Sequence, residues 1–134
     1  MNALPQPAPR AMKLVCPAGT PPALKLAVDN GADDVYLGFK DETNARNFAG
    51  LNFDDKSIRE GIAYAHRKGA QVLVALNTYP QPGTWRKWRS AVDRAADLGV
   101  DAVIVADAGL LAYAAKAHPQ LRLHLSVQGS ATSH

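Results

Sequence analysis

The chain has one cysteine, Cys16, so it cannot close an internal disulfide, which suits a reducing compartment. No apolar run approaches the ~18 residues of a membrane-spanning helix. The first ten residues, Met1 to Arg10, contain three prolines and no apolar core of a secretory signal. A cytoplasmic protein is therefore expected. No two histidines have metal-ligand spacing, there is no Cys-x-x-Cys, and no Ser-His-Asp or Cys-His constellation can be assembled from the sequence. The loop Cys16-Pro17-Ala18-Gly19-Thr20-Pro21-Pro22 is too rich in proline to cradle a phosphate with consecutive N–H donors. No metal site is expected in this chain.

The 134 residues, 47% of them hydrophobic, suffice for one domain with a core of ordinary size. A net charge of +3 favours solubility and weak attraction to polyanions without predicting nucleic-acid binding. Residues 1–11 read as a flexible Pro-rich arm, and residues 12–134 as the folded part. Strands are expected over Met12–Cys16, Val35–Gly38, Val72–Leu76, Ala102–Ala106 and Leu121–Val127. Helices between them are capped by Thr20, by Asp54 or Asp55, by Thr84 and by Asp107. Gly31, Gly69 and Gly99 end the first three helices, and Pro119 ends the fourth.

Helix end, glycine and strand recur at intervals of about 30 to 40 residues, the mark of parallel strands joined by helical crossovers. The strands are nearly continuous in apolar or β-forming residues, as in sheets covered on both faces. Two α/β architectures fit: the first part of a TIM-like barrel, ending after its fifth strand, or a complete five-stranded, flavodoxin-like doubly wound sheet.

In both architectures the reactive face lies at the carboxyl ends of the strands. The sequence delivers Cys16, Lys40, Asn77, Asp107 and Gln128 to that face. The long segment between Gly38 and the second helix adds Asn44, Arg46 and Asn47, and ordering so polar a stretch is costly unless it binds something. Amides and a guanidinium suit an oxygen-rich or anionic small molecule. Asn44, Arg46, Asn77, Asp107 and Gln128 are the candidate catalytic or orienting residues, and Lys40 and Asn47 the candidate substrate-binding ones. Plainer roles compete for several of these: a buried structural thiol for Cys16, a helix cap for Asp107, solvated charges for Lys40 and Arg46. His66 and His118 fall near helix ends, where a cation favours the helix dipole. Trp85-Arg86-Lys87-Trp88-Arg89 mixes rings and cations as single-stranded nucleic-acid surfaces do. Trp85, Trp88, Val92 and Ala95 also recur at the spacing of a buried helical stripe.

Cys16-Pro17-Ala18-Gly19, Gly31 to Gly38, the run Lys40 to Phe53, Ala106-Asp107 and Ser126-Val127-Gln128 together resemble the amino-terminal part of the U32 peptidase family. Asn44-Ala45-Arg46-Asn47-Phe48-Ala49-Gly50-Leu51-Asn52-Phe53 is the most specific piece of the likeness. Within the family the chain looks most like the UbiU branch of ubiquinone biosynthesis. The resemblance implies a barrel-like fold and a role in oxygen-independent hydroxylation of a small aromatic or quinone-precursor substrate. It further implies a 4Fe-4S cluster in the full-length protein, prephenate as a possible hydroxyl donor and a homologous UbiV-like partner in a heterodimer. The family's cluster cysteines lie beyond the reach of this sequence, so no cluster and no hydroxylation are expected of this chain alone. A peptidase, and a subunit of an RNA-hydroxylating enzyme, are the alternatives, with nucleic acid the less expected ligand.

Overall fold

Local signals place the elements. Thr20 accepts from the Ala23 N–H at 3.3 Å and opens α1 (Pro21–Asp29), with prolines in its first turn where no N–H partner is needed. Asp54 and Ser57 form a reciprocal capping box at the start of α2 (Asp55–Arg67). Asp107 accepts from the Leu110 N–H and caps α4 (Ala108–Ala117). α3 (Trp85–Leu98) starts after Thr84, whose hydroxyl donates instead to the Gln81 carbonyl, so the expected side-chain cap is not made. Gly31, Gly69 and Gly99 all take positive φ where helices give way to strands.

The computed structural model describes residues 12–129; the proline-rich arm lies outside them. Its strands are β1 (Val15–Pro17), β2 (Asp34–Leu37), β3 (Gln71–Leu76), β4 (Ala102–Val105) and β5 (Arg122–Leu125). Three are shorter than expected, β4 by Ala106 alone. Before β1, the Leu14 N–H bonds to the Asp33 carboxylate rather than to a ladder partner. After β5, Val127–Gly129 winds into a 3-10 turn closed by the Gly129 N–H on the Ser126 carbonyl.

All pairings are parallel and the strand order is β1-β2-β3-β4-β5. A doubly wound sheet reverses its order at a switch point. Here nothing reverses, and right-handed crossovers taken in one direction place every helix on the same face. This is the winding of a TIM-like barrel wall, and the flavodoxin-like alternative is set aside.

The core lies between the helices and one face of the sheet. Val35 and Leu37, Val72, Val74 and Leu76, and Val103 and Val105 pack there against Leu24, Ile58, Val92 and Leu110. Trp88 is buried in the same cluster and Trp85 packs on its edge, so the aromatic spacing of α3 is a core stripe. Cys16 also packs against this cluster, turned toward the helices and away from the reactive face expected for it. His66 and His118 serve structure, pairing with Asp101 and Asp93 at 2.8 and 2.6 Å.

The opposite face follows from the register. Ala75, Ile104 and His124 are paired across β3, β4 and β5, and Tyr36 pairs with Leu73 one step earlier. This inner face carries the candidate site at its carboxyl end.

Candidate functional site

Above the inner face a chamber of about 390 Å³ falls within the ~300–1,000 Å³ of small-molecule sites. Strands supply Tyr36, Ala75, Ile104 and His124, and the loops above them supply Asn44, Arg46, Asn77 and Gln128. A second chamber of about 170 Å³ adjoins it, between Ala18, Gly19 and Leu37 below and Phe48 and Leu51 above. The two share a wall made of Tyr36, Asn44 and Arg46. No aspartate or glutamate lines either chamber among the described residues.

The loop that forms this wall is ordered by its own amides. Asn44 is buried, and its Nδ2 donates to Asn52 Oδ1 at 3.0 Å. Asn44 Oδ1 accepts from the Arg46 N–H at 3.1 Å, and Asn52 Nδ2 donates to the Arg46 carbonyl at 2.8 Å. Asn77 Oδ1, from the end of β3, accepts the Ala45 N–H at 3.0 Å. Both backbone polar groups of Arg46 are thus held by side-chain amides. The guanidinium is left at the surface, with no ion pair among the described residues.

Two further anchors tie the loop to the scaffold. Phe39 and Phe53, both fully buried, bridge its two ends in parallel register. On the outer side the Arg94 guanidinium stacks 4.0 Å from the Phe39 ring and lies 3.7 Å from Asp41. The indole N–H of Trp88 donates to the Thr78 hydroxyl at 3.2 Å, and that hydroxyl donates to the Glu42 carbonyl. Lys87 pairs with the Glu42 side chain and holds its carboxyl below the usual range. The basic residues of α3 are therefore partly spent on holding the loop. The ordering that sequence alone attributed to a bound molecule comes from these contacts.

Four of the seven sequence candidates converge: Asn44, Arg46, Asn77 and Gln128. Their parts differ. Asn44 spends both ends of its amide on the loop and is a positioning residue. Asn77 uses its oxygen and leaves Nδ2 without a partner among the described residues. Gln128 is exposed, and its backbone carbonyl takes the Tyr79 hydroxyl. The other three stay apart. Asp107 is committed to the α4 cap. Lys40 and Asn47 are exposed and line neither chamber. The charge of Lys40 is felt instead by Asp54, whose carboxyl is held low mainly by its bonds to Ser57.

Tyr36, His124, Phe48 and Leu51 were missed. For the first two the signal was strand parity: in a barrel the residues alternating with the core-facing ones point inward, and His124 alternates with Leu123 and Leu125. Among the described residues no hydroxyl or thiol is hydrogen-bonded to a histidine, and no group of three or more His, Cys, Asp or Glu could hold a metal. The arrangement can bind and orient an anionic, oxygen-bearing molecule.

Peptidase family U32 matches residues 19–134. The tRNA hydroxylation protein P of Helicobacter pylori (strain ATCC 700392 / 26695) is 35% identical over 89% of this chain and 28% of its own length. The uncharacterized protease MJ0090 of Methanocaldococcus jannaschii is 39% identical over 91% of this chain and 29% of its own. A 23S rRNA 5-hydroxycytidine synthase of Escherichia coli (strain K12) is 33% identical over 87% of this chain and 17% of its own. The chain thus spans less than a third of each of these relatives. The solved structure of the U32 peptidase Mk0906 superposes with a TM-score of 0.72 at 17% identity, covering 98% of this chain and 55% of that one. That likeness concerns the fold.

Proposed function

We propose, since this chain belongs to peptidase family U32, that it forms the substrate-orienting part of a protein that hydroxylates RNA. The observation that carries the reading is Arg46, its backbone N–H and carbonyl held by the Asn44 and Asn52 amides and its neighbour Ala45 by Asn77, at the rim of a chamber lined by no carboxylate among the described residues. Such a site favours an anion. The relatives from Helicobacter pylori and Escherichia coli are named for hydroxylation of tRNA and rRNA. Those names favour nucleic acid as the ligand, against the expectation from the sequence.

In this reading the Arg46 guanidinium takes a phosphate or carboxylate oxygen. Asn77 Nδ2 and the Gln128 amide donate to further oxygens and fix orientation, and His124 lines the chamber floor. A 4Fe-4S cluster would supply electron-transfer chemistry to the whole protein. Four thiolates hold such a cluster, and this chain has only Cys16, packed on the helix side of the sheet. Its residues do not fit the cluster. Peptide hydrolysis has less support, because among the described residues no nucleophile is joined to a base.

The second reading is oxygen-independent hydroxylation of a ubiquinone precursor alongside a UbiV-like partner, with prephenate as a possible donor in the Arg46 chamber. It rests on the Asn44–Phe53 run, which supplies Asn44 and Arg46 to the wall between the chambers. One experiment separates the two. The gene is deleted, and hydroxylated nucleosides in tRNA and rRNA are measured together with ubiquinone from anaerobic cells. Loss of a hydroxylated nucleoside, restored by wild type and not by Arg46→Ala, is expected. Loss of ubiquinone alone would transfer the assignment to the second reading, and no change in either would end both.

A further inference from the structure

The larger chamber accounts for Arg46, Asn77, His124 and Gln128, but not for the smaller one behind Tyr36. That space differs from its neighbour in size and chemistry. At about 170 Å³ it lies below the volume of an ordinary small-molecule pocket, so it suits one ring rather than a larger ligand. Its walls are chiefly apolar: Ala18, Leu37, Phe48 and Leu51. Gly19 forms part of the floor, and a methyl group placed there would already touch Leu51 at 3.7 Å.

Phe48 lines this chamber while 62% exposed, so its ring is open to a ligand. Its place is set by the loop: the Phe48 N–H donates to the Arg46 carbonyl, and the Leu51 N–H to the Phe48 carbonyl. The Phe48 ring and the Arg46 guanidinium are therefore presented two residues apart on one tightly bonded turn. The tryptophans of α3 cannot serve as a stacking platform, since Trp88 is buried and Trp85 packs on the core. Tyr79 is also exposed, but it lines neither chamber and its hydroxyl is committed to Gln128.

We propose that the smaller chamber seats the planar ring that receives the hydroxyl group, a single pyrimidine-sized base of RNA. Phe48 stacks on the base, Leu51 covers its edge and Arg46 takes its phosphate. The proposal rests on the RNA reading above and adds to it the subsite and the face of the loop that the base meets. Base–aromatic stacking is sequence-tolerant and needs no hydrogen-bond readout, which matches the lining of this chamber, where Arg46 is the one charged group among the described residues. A base drawn out of a stacked strand would enter such a pocket edge first.

The test uses the full-length protein with a single-stranded RNA substrate and compares Phe48→Ala with Phe48→Tyr. Phe48 is exposed, so neither change removes a core contact. For Phe48→Ala, KM for RNA is expected to rise about 5- to 150-fold, the cost of one lost base stack, with Phe48→Tyr restoring it. An RNA carrying 4-thiouridine at the modified position is expected to photocross-link within Phe48–Leu51. Hydroxylation that continues with an unchanged KM in Phe48→Ala, or a cross-link mapping to Trp85–Arg89, would overturn the subsite and leave the RNA reading standing. No hydroxylated RNA from the wild-type protein would overturn both.

Discussion

Asn44 and Asn52 meet side chain to side chain at 3.0 Å beneath the loop, and between them they hold the N–H and the carbonyl of Arg46. Arg46 is placed by its backbone, so its guanidinium is free to bind. Asn52 is the one described non-glycine residue at positive φ, 77°, a conformation asparagine tolerates better than most side chains. Asn52→Ala is expected to lose about 1–3 kcal/mol of stability, by removing the acceptor of the buried Asn44 Nδ2 and one of the two donors to the Arg46 carbonyl. Asn52→Gly should keep the backbone and lose the bonds alone. Urea unfolding of the two variants separates the terms, and equal stability to wild type in both would refute the account.

Gly38 lies under the same asparagine. A Cβ added there would stand 2.1 Å from Asn44 Nδ2, and Asn44 cannot swing aside without breaking the hold on Arg46. Gly38→Ala is expected to cost about 1–3 kcal/mol, as overpacking does, and to weaken substrate binding as much as an Arg46 change. Thermal unfolding and a binding titration check the pair, and a stable variant with intact binding would count against the clamp.

Arg46 itself should be separable from folding. It is exposed and unpaired among the described residues, so Arg46→Ala is expected to stay within about 0.5 kcal/mol of wild type while losing the anionic ligand. Arg46→Lys keeps the charge without the planar fork and should recover part of the affinity. Isothermal titration with prephenate or a short RNA, beside an unfolding curve, gives both numbers.

On the outer surface Asp93 accepts from His118 and from the Tyr113 hydroxyl. Partial burial opposes ionisation of Asp93, but these two bonds outweigh it and hold the carboxyl below its ordinary value. A carboxyl lowered in the folded state adds stability above its unfolded pKa of about 3.9, and that share is lost as pH falls through the lower folded value. The α3–α4 contact should therefore loosen below about pH 4. Acid titration of the wild type against Asp93→Asn is expected to show a shallower decline in the variant. Parallel curves would remove Asp93 from the acid response.

Among the described residues, β1 and β5 each have one strand neighbour, and Val15 and Leu125 are exposed on them. Such edges pair with other chains unless charged or covered. The 134-residue chain by itself is expected to self-associate in light scattering, and Val15→Lys with Leu125→Lys to reduce this. A sharp monomer for the unaltered chain would contradict it.

The sequence by itself determined the elements and their punctuation. Caps at Thr20, Asp54 and Asp107, positive-φ glycines and the Trp88–Val92–Ala95 stripe are local, set by hydrogen bonds and side-chain periodicity within a few residues. It also named four chamber residues, because strand ends and polar loops are visible as such. Tertiary structure decided the rest. Whether the winding reverses depends on which edge each crossover returns to, and no single segment encodes that. The inward turn of Tyr36 and His124, and the outward turn of Cys16, follow from which sheet face the helices cover. Asn44 looked like a ligand-binding amide until Asn52, eight residues away, was found to occupy it; a side chain's chemistry is read from its type, but its availability only from its neighbours.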